Sequence, residues 1–167
     1  MNTSHDSVPT ASGYAPSITA GDFAHAVTAG RYAHAATTGA YAHATAAGGF
    51  AHATTTGYSA HATTTGYSAH ATTTGQRAHA TTAGNDAHAT ATGGHAHAAT
   101  TGANSIAVAI GYNSAARAAD GGFIVLAQYS PDGDTVVAVK TAQVGKDGIK
   151  PDTWYTLSPT GEFVEAE

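Results

Sequence analysis

The sequence predicts an all-β fold: a β-solenoid, a flattened two-sheet β-roll with about two nonapeptide units per coil and a C-terminal β-meander cap. Three observations predict it. Eleven glycines fall at an unbroken spacing of nine, from Gly21 to Gly111. Counted from that glycine, the sixth slot of every unit is alanine, from Ala26 to Ala116. Finally, 40 Ala, 27 Thr and 20 Gly make up just over half of the 167 residues, so a conventional aliphatic core cannot span the chain. Between Gly21 and Thr101 the large aliphatic and Phe residues are only Phe23, Val27 and Phe50.

The unit reads G-x-x-A-H-A-T-T-T, as in Gly57-Tyr58-Ser59-Ala60-His61-Ala62-Thr63-Thr64-Thr65. A helix is excluded, because a glycine every nine residues costs about 1 kcal/mol each relative to alanine, and threonine adds to the penalty. No large residue recurs at i, i+3, i+4 for a helix to bury. Disorder suits a chain poor in large apolar residues, but a disordered chain has no reason to hold alanine in one slot through eleven units. Nine residues are too few to encircle a core, whereas two units make a coil of about 18. Eleven units then stack about five and a half coils into a rod roughly 26 Å long.

Within the unit, glycine in slot 1 permits positive φ at a turn. Slots 2 and 3 vary and are expected on that turn, where sequence matters least. Side chains alternate along a strand, so slots 4 and 6 share one face and slots 5 and 7 the other. The constant small residues belong inside, where anything larger would force the sheets apart. Histidine and threonine then lie outside. His25, His43, His61, His79 and His97 are expected to line one face, and His34, His52, His70 and His88 the other. The unit from Gly102 places Ile106, Val108 and Ile110 on the outside, where they need a cover that the C-terminal segment could supply.

Residues 1–11 read as a polar N-terminal tail, 12–119 as the solenoid, and 120–167 as the cap or a docking module. Ser12 to Ala20 is a degenerate unit with Pro16 in the histidine slot, suited to an edge coil. After Asp120-Gly121-Gly122 come four strand-like runs: Phe123–Tyr129, Thr135–Val144, Thr153–Leu157 and Glu162–Val164. They are separated by turn signals such as Ser130-Pro131-Asp132-Gly133. Solenoids need capped ends, since the last coil otherwise exposes its core and strand edges.

Composition also narrows function. The absence of cysteine excludes disulfides and thiolate metal sites. A net charge of -5 argues against nucleic-acid binding. No apolar run approaches 18 residues, so no membrane-spanning helix is expected. The opening Met1-Asn2-Thr3-Ser4-His5-Asp6 lacks the basic and apolar regions of a secretory signal. The expected location is therefore internal to the cell.

Gly111-Tyr112-Asn113-Ser114-Ala115-Ala116, Phe123-Ile124-Val125-Leu126-Ala127 and Ala138-Val139-Lys140-Thr141-Ala142 resemble a family of uncharacterised bacterial and prophage proteins. So do Lys150-Pro151-Asp152-Thr153-Trp154-Tyr155-Thr156-Leu157 and Gly161-Glu162-Phe163-Val164-Glu165. In that family small-residue nonapeptides precede a short C-terminal β segment. The resemblance implies a phage context, with the cytoplasm of a bacterial host as the expected location and virion association as the alternative, and no particular chemistry. Histidine in slot 5 is a departure, since relatives tend to carry Ala, Ser or Thr there. Asn104-Ser105-Ile106-Ala107-Val108-Ala109-Ile110-Gly111-Tyr112-Asn113-Ser114 is also similar to head repeats of trimeric bacterial adhesins.

Nine repeated histidines make an array rather than one active site, so the expectation is a non-enzymatic protein. The candidate binding surface is the ladder His25, His34, His43, His52, His61, His70, His79, His88 and His97. A second candidate is an aromatic strip of the slot-3 residues Phe23, Tyr32, Tyr41 and Phe50. Neighbouring imidazoles one strand apart could hold a divalent transition metal, with His95 beside His97 as the candidate pair. Three function classes follow: a phage or prophage structural or interaction protein that binds or inhibits a host partner, a virion fibre or adhesin-like part, or a metal-binding array. A homo-oligomer and an unknown protein partner are expected, with neither nucleic acid nor membrane.

Overall fold

The computed structural model describes residues 10–12 and 16–166, which contain seventeen strands and no helix. The strands of the first coils are β1 (Thr10–Ser12), β2 (Ser17–Ala20), β3 (His25–Ala29), β4 (His34–Thr38), β5 (His43–Ala47) and β6 (His52–Thr56). The middle coils hold β7 (His61–Thr65), β8 (His70–Thr74), β9 (His79–Ala83), β10 (His88–Thr92) and β11 (His97–Thr100). Then come β12 (Ile106–Ile110), β13 (Ala115–Arg117), β14 (Phe123–Tyr129), β15 (Val136–Gln143), β16 (Tyr155–Leu157) and β17 (Phe163–Glu165).

Odd strands β1 to β13 form one parallel sheet, sheet A, and even strands β2 to β14 the other, sheet B. From β2 to β13 each strand pairs with the one two units away, in register at 18 residues: His61 sits opposite His79 and Ala62 opposite Ala80. The end pairs β1/β3 and β12/β14 are offset by 17. The result is a two-sheet β-solenoid of about 6 turns. No helix of the described residues is long and apolar enough to cross a membrane.

Slot-4 and slot-6 alanines from both sheets form the core, and Ala62 is 0 % exposed while His61 stands at the surface. Slot 8 also points inward, by the same alternation. Its threonines correct the expectation that threonine lies outside: Thr28, Thr37, Thr55, Thr64, Thr73, Thr82 and Thr100 are buried. Their hydroxyls have no hydrogen-bond partner in the protein. The branched side chain fills the volume a valine would, at the cost of a dry hydroxyl.

Each unit turns through slots 1 to 4. In five units the slot-4 N–H donates to the slot-1 carbonyl, as in Ala33 N to Gly30 O at 3.2 Å. The third turn residue has positive φ, the sign a type II turn requires. Slot 3 is therefore less free than a surface turn suggests, with Phe23, Tyr32, Tyr41 and Phe50 at φ of 57° to 63°. The same slot holds Asn104 and Asn113 further along, residues that tolerate this region. Slot 1 needs glycine twice over. Gly66 has φ +138°, and a Cβ there would lie 2.1 Å from the carbonyl oxygen of Gly48 in the coil beneath.

Strand pairing reaches back to Thr10, inside the segment expected to be a polar tail; residues 1–9 lie outside the described residues. Ser17 pairs opposite Ala35, which leaves Pro16 in the histidine register and solvent-exposed.

The C-terminal strands are not one meander. β14 stacks in parallel on β12 as a further coil and turns into β15, antiparallel at the outer edge of sheet B. The chain then crosses the open end of the core. Val144, Ile149 and Tyr155 plug it before β16 joins β13 in sheet A, antiparallel, and β17 follows. Two hairpins, one per sheet, thus continue both edges, because the crossing separates β15 from β16. Ile106, Val108 and Ile110 do face outward and are half-buried. They gain a lateral neighbour rather than a lid: Ile106 pairs opposite Phe123 and Val108 opposite Val125.

The Lys150–Leu157 segment fastens this end. Asp152 N donates to Ala118 O at 3.0 Å, Thr156 Oγ1 to Ser114 O at 3.0 Å, and Lys150 N to the Tyr155 hydroxyl at 2.9 Å. Lys150 and Glu165 form an exposed ion pair at 2.6 Å. Surface pairs of this kind contribute little stability.

Candidate binding surface

Histidine begins each strand from β3 to β11, and from His43 onward its backbone N–H bonds to the coil beneath, as in His61 N to Ala42 O at 2.8 Å. Identical register then places each imidazole above the last. On sheet A, His25, His43, His61 and His79 stack with ring centroids 4.7–4.9 Å apart and planes within 4°. On sheet B, His34, His52 and His70 stack at 4.8 Å within 5°, and His88 follows at 5.1 Å and 23°. The two expected faces are therefore formed, with all nine ladder histidines on them.

The ladders differ at their ends. β13 carries Ala115 in the histidine slot, and Trp154 occupies the space over it, 4.9 Å from His97 at a 54° tilt. The Arg117 guanidinium lies 4.8 Å over the Trp154 ring. No sequence signal marks this closure, since Trp154 sits 57 positions after His97 and belongs to no period.

Six of the nine ladder histidines are biased toward the neutral form. Partial burial, the largest cause, lowers the pKa of His43, His52, His61, His70, His79 and His97 below 6.5. Repulsion from neighbouring imidazoles lowers it further: His61 and His25 act on His43, His79 acts on His61, and His95 acts on His97. Neutral imidazole offers one donor and one acceptor. Beside the ladders run outward threonines of slots 7 and 9, paired on sheet B as Thr54/Thr56, Thr72/Thr74 and Thr90/Thr92. The faces thus carry rows of hydrogen-bonding groups repeating at the strand spacing.

The aromatic candidates are not a single strip. Successive turns lie on opposite narrow edges of the roll, so Phe23 stacks on Tyr41 at 5.2 Å while Tyr32 stacks on Phe50 at 5.1 Å. Each edge gains one ring from slot 2. Tyr58 meets Tyr41 edge-on at 5.8 Å, and Tyr67 meets Phe50 at 5.9 Å. Ring stacking of about 0.5–1.5 kcal/mol per pair offsets left-handed backbone strain of about 1–2 kcal/mol per residue.

The two metal candidates sit on different elements, close enough for His95 to act on the charge of His97. His95 sits on a turn with its ring edge-on to Tyr112 at 6.1 Å, whereas His97 lies in the ladder against Trp154. Among the described residues no group of three or more His, Cys, Asp or Glu is placed to hold a metal ion. Open grooves occur near the C-terminal end, one of them beside Gln76, His95, Tyr112, Tyr129 and Asp132.

No protein-family model, curated protein or solved structure matches this chain.

Proposed function

We propose that this is a non-enzymatic, phage- or prophage-type structural or interaction protein whose flat histidine–threonine faces bind a protein partner in a bacterial host. The observation that supports this reading is the parallel stacking of half-buried imidazoles, His43, His61 and His79 on one face and His52 and His70 on the other, all biased toward the neutral form. Such a face presents donors and acceptors at fixed intervals with little charge to desolvate, and it repeats one group instead of converging several. The reading places the protein in the host cytoplasm, where binding inhibits or recruits the partner.

The test compares the wild-type chain with a face variant, His61→Asp with His79→Asp, as bait for host protein. Capture by the wild type and loss by the face variant, with an unchanged circular-dichroism spectrum, is the expected result. Equal capture by both sinks the reading. A virion fibre or adhesin-like part is the second reading, supported by the elongated stack of coils; a trimeric mass by light scattering favours it. A metal-binding array, the third, predicts a saturable zinc or nickel isotherm that His61→Ala with His79→Ala abolishes.

A further inference from the structure

The nine histidine-bearing units contain four charged residues apart from histidine, and all four lie on the turns: Asp22, Arg31, Arg77 and Asp86. Taken coil by coil, the two edges mirror each other. On the edge that leads into sheet A, the first four coils present Asp22 with Phe23, then Tyr41, then Tyr58, then Arg77. On the opposite edge they present Arg31 with Tyr32, then Phe50, then Tyr67, then Asp86. The aromatic moves from slot 3 to slot 2 at the same coil on both edges. Charge is opposite in sign at coil one and again at coil four.

The chain does not use these charges on one another. Among the described residues the ion pair is Lys150–Glu165. Arg31 lies over Tyr32 and Phe50 at 5.1 and 5.4 Å, and Arg77 over Tyr58 at 5.9 Å. Asp22 accepts a hydrogen bond from Ala40 N at 2.9 Å. Five of the six rings are exposed, from Phe23 at 66 % to Tyr32 at 38 %, and Phe50 is half-buried. Opposite narrow edges of a flattened roll cannot meet within one molecule.

We propose that the two edges are complementary surfaces for a second copy of this chain. Rods pack side by side in parallel register, the aromatic triad Phe23, Tyr41, Tyr58 of one against Tyr32, Phe50, Tyr67 of the next. Asp22 then faces Arg31 across the contact, and Arg77 faces Asp86. The contact is heterologous, so each copy keeps one free edge and assembly extends laterally. The strip is only about four coils long and one turn wide, well under the ~800 Å² per partner of a standard interface. Association is therefore weak, concentration-dependent and reduced by salt. It involves the edges and not the histidine faces, so it stands or falls separately from the proposed partner binding.

The experiment is sedimentation velocity on the full chain over a concentration series, at low and high salt. The expected wild-type result is reversible growth in mass with concentration, reduced by salt. Asp22→Arg should weaken association roughly tenfold or more, because like charges then face each other. Adding Arg31→Asp to that variant should restore it; adding Arg77→Asp should not. The opposite rescue, by Arg77→Asp, would overturn parallel packing, since it marks an antiparallel contact between two like edges. Tyr41→Ser with Phe50→Ser, using the residue that slot 3 holds at Ser59 and Ser68, should also reduce association at unchanged circular dichroism. His61→Asp with His79→Asp should leave it intact. A monomer at every concentration up to about 1 mM, the weak limit for so small a contact, overturns the proposal.

Discussion

Gly66→Ala is expected to destabilise the solenoid by about 2–6 kcal/mol. Two separate costs arise. The backbone at φ +138° lies outside the region L-residues adopt readily, which costs about 1–3 kcal/mol. The added Cβ would also stand 2.1 Å from Gly48 O and 2.5 Å from Gly48 C, inside van der Waals contact with a backbone that is itself held in the ladder. Forcing the coils apart costs about another 1–3 kcal/mol. Two comparisons separate these terms. Gly21 has nearly the same φ, +131°, but among the described residues no heavy atom lies within 4 Å of its added Cβ, so Gly21→Ala should show the conformational cost alone. Gly49 has no positive φ and its slot is alanine at Ala40 and Ala103, so Gly49→Ala should be neutral or stabilise by about 0.4–1 kcal/mol. Urea unfolding at constant m-value measures all three. The stacking argument is refuted if Gly66→Ala costs no more than Gly21→Ala.

Stability should fall in mild acid. The six lowered histidines have folded pKa values below the unfolded 6.5, so their contribution is complete above pH 6.5 and is lost as pH drops through the lowered folded values. The melting temperature should decline between pH 6.5 and 5, and a flat profile there contradicts it. Trp154, the single tryptophan, touches His97, so its fluorescence should titrate with a midpoint below 6.5, because burial and then His95 lower that pKa. A midpoint at or above 6.5 would show that His97 is not held neutral. Thr64→Val removes a buried hydroxyl that has no protein partner and should stabilise by about 1 kcal/mol in chemical denaturation. A loss of stability instead would mean that the hydroxyl is satisfied by bound solvent.

The histidine faces were legible because their slot is fixed by alternation from Ala26 and its equivalents, and one constant small residue is enough to set the phase of a strand. Slot 8 follows from the same rule, yet threonine suits both water and a packed sheet, so its burial had to be seen. The aromatic strip was misread as one because a period of nine does not reveal that successive turns occupy opposite edges until two units are wrapped into one coil. The terminal hairpins were misread because four strand-like runs in order say nothing about which sheet each one joins. Ile124 and Leu126 already belong to the last coil's core, and the plug of Val144, Ile149 and Tyr155 forces the crossing.

Period, phase and coil size were thus determined locally, by glycines that only a turn accommodates and alanines that only a thin core requires. What the tertiary structure decided depends on stacking between coils. The 18-residue register stacks the histidines into ladders and gives the two edges opposite charge order, while the C-terminal crossing brings Trp154 against His97. Neither relation is written in a single unit, because each arises between residues that only the closed coil brings side by side.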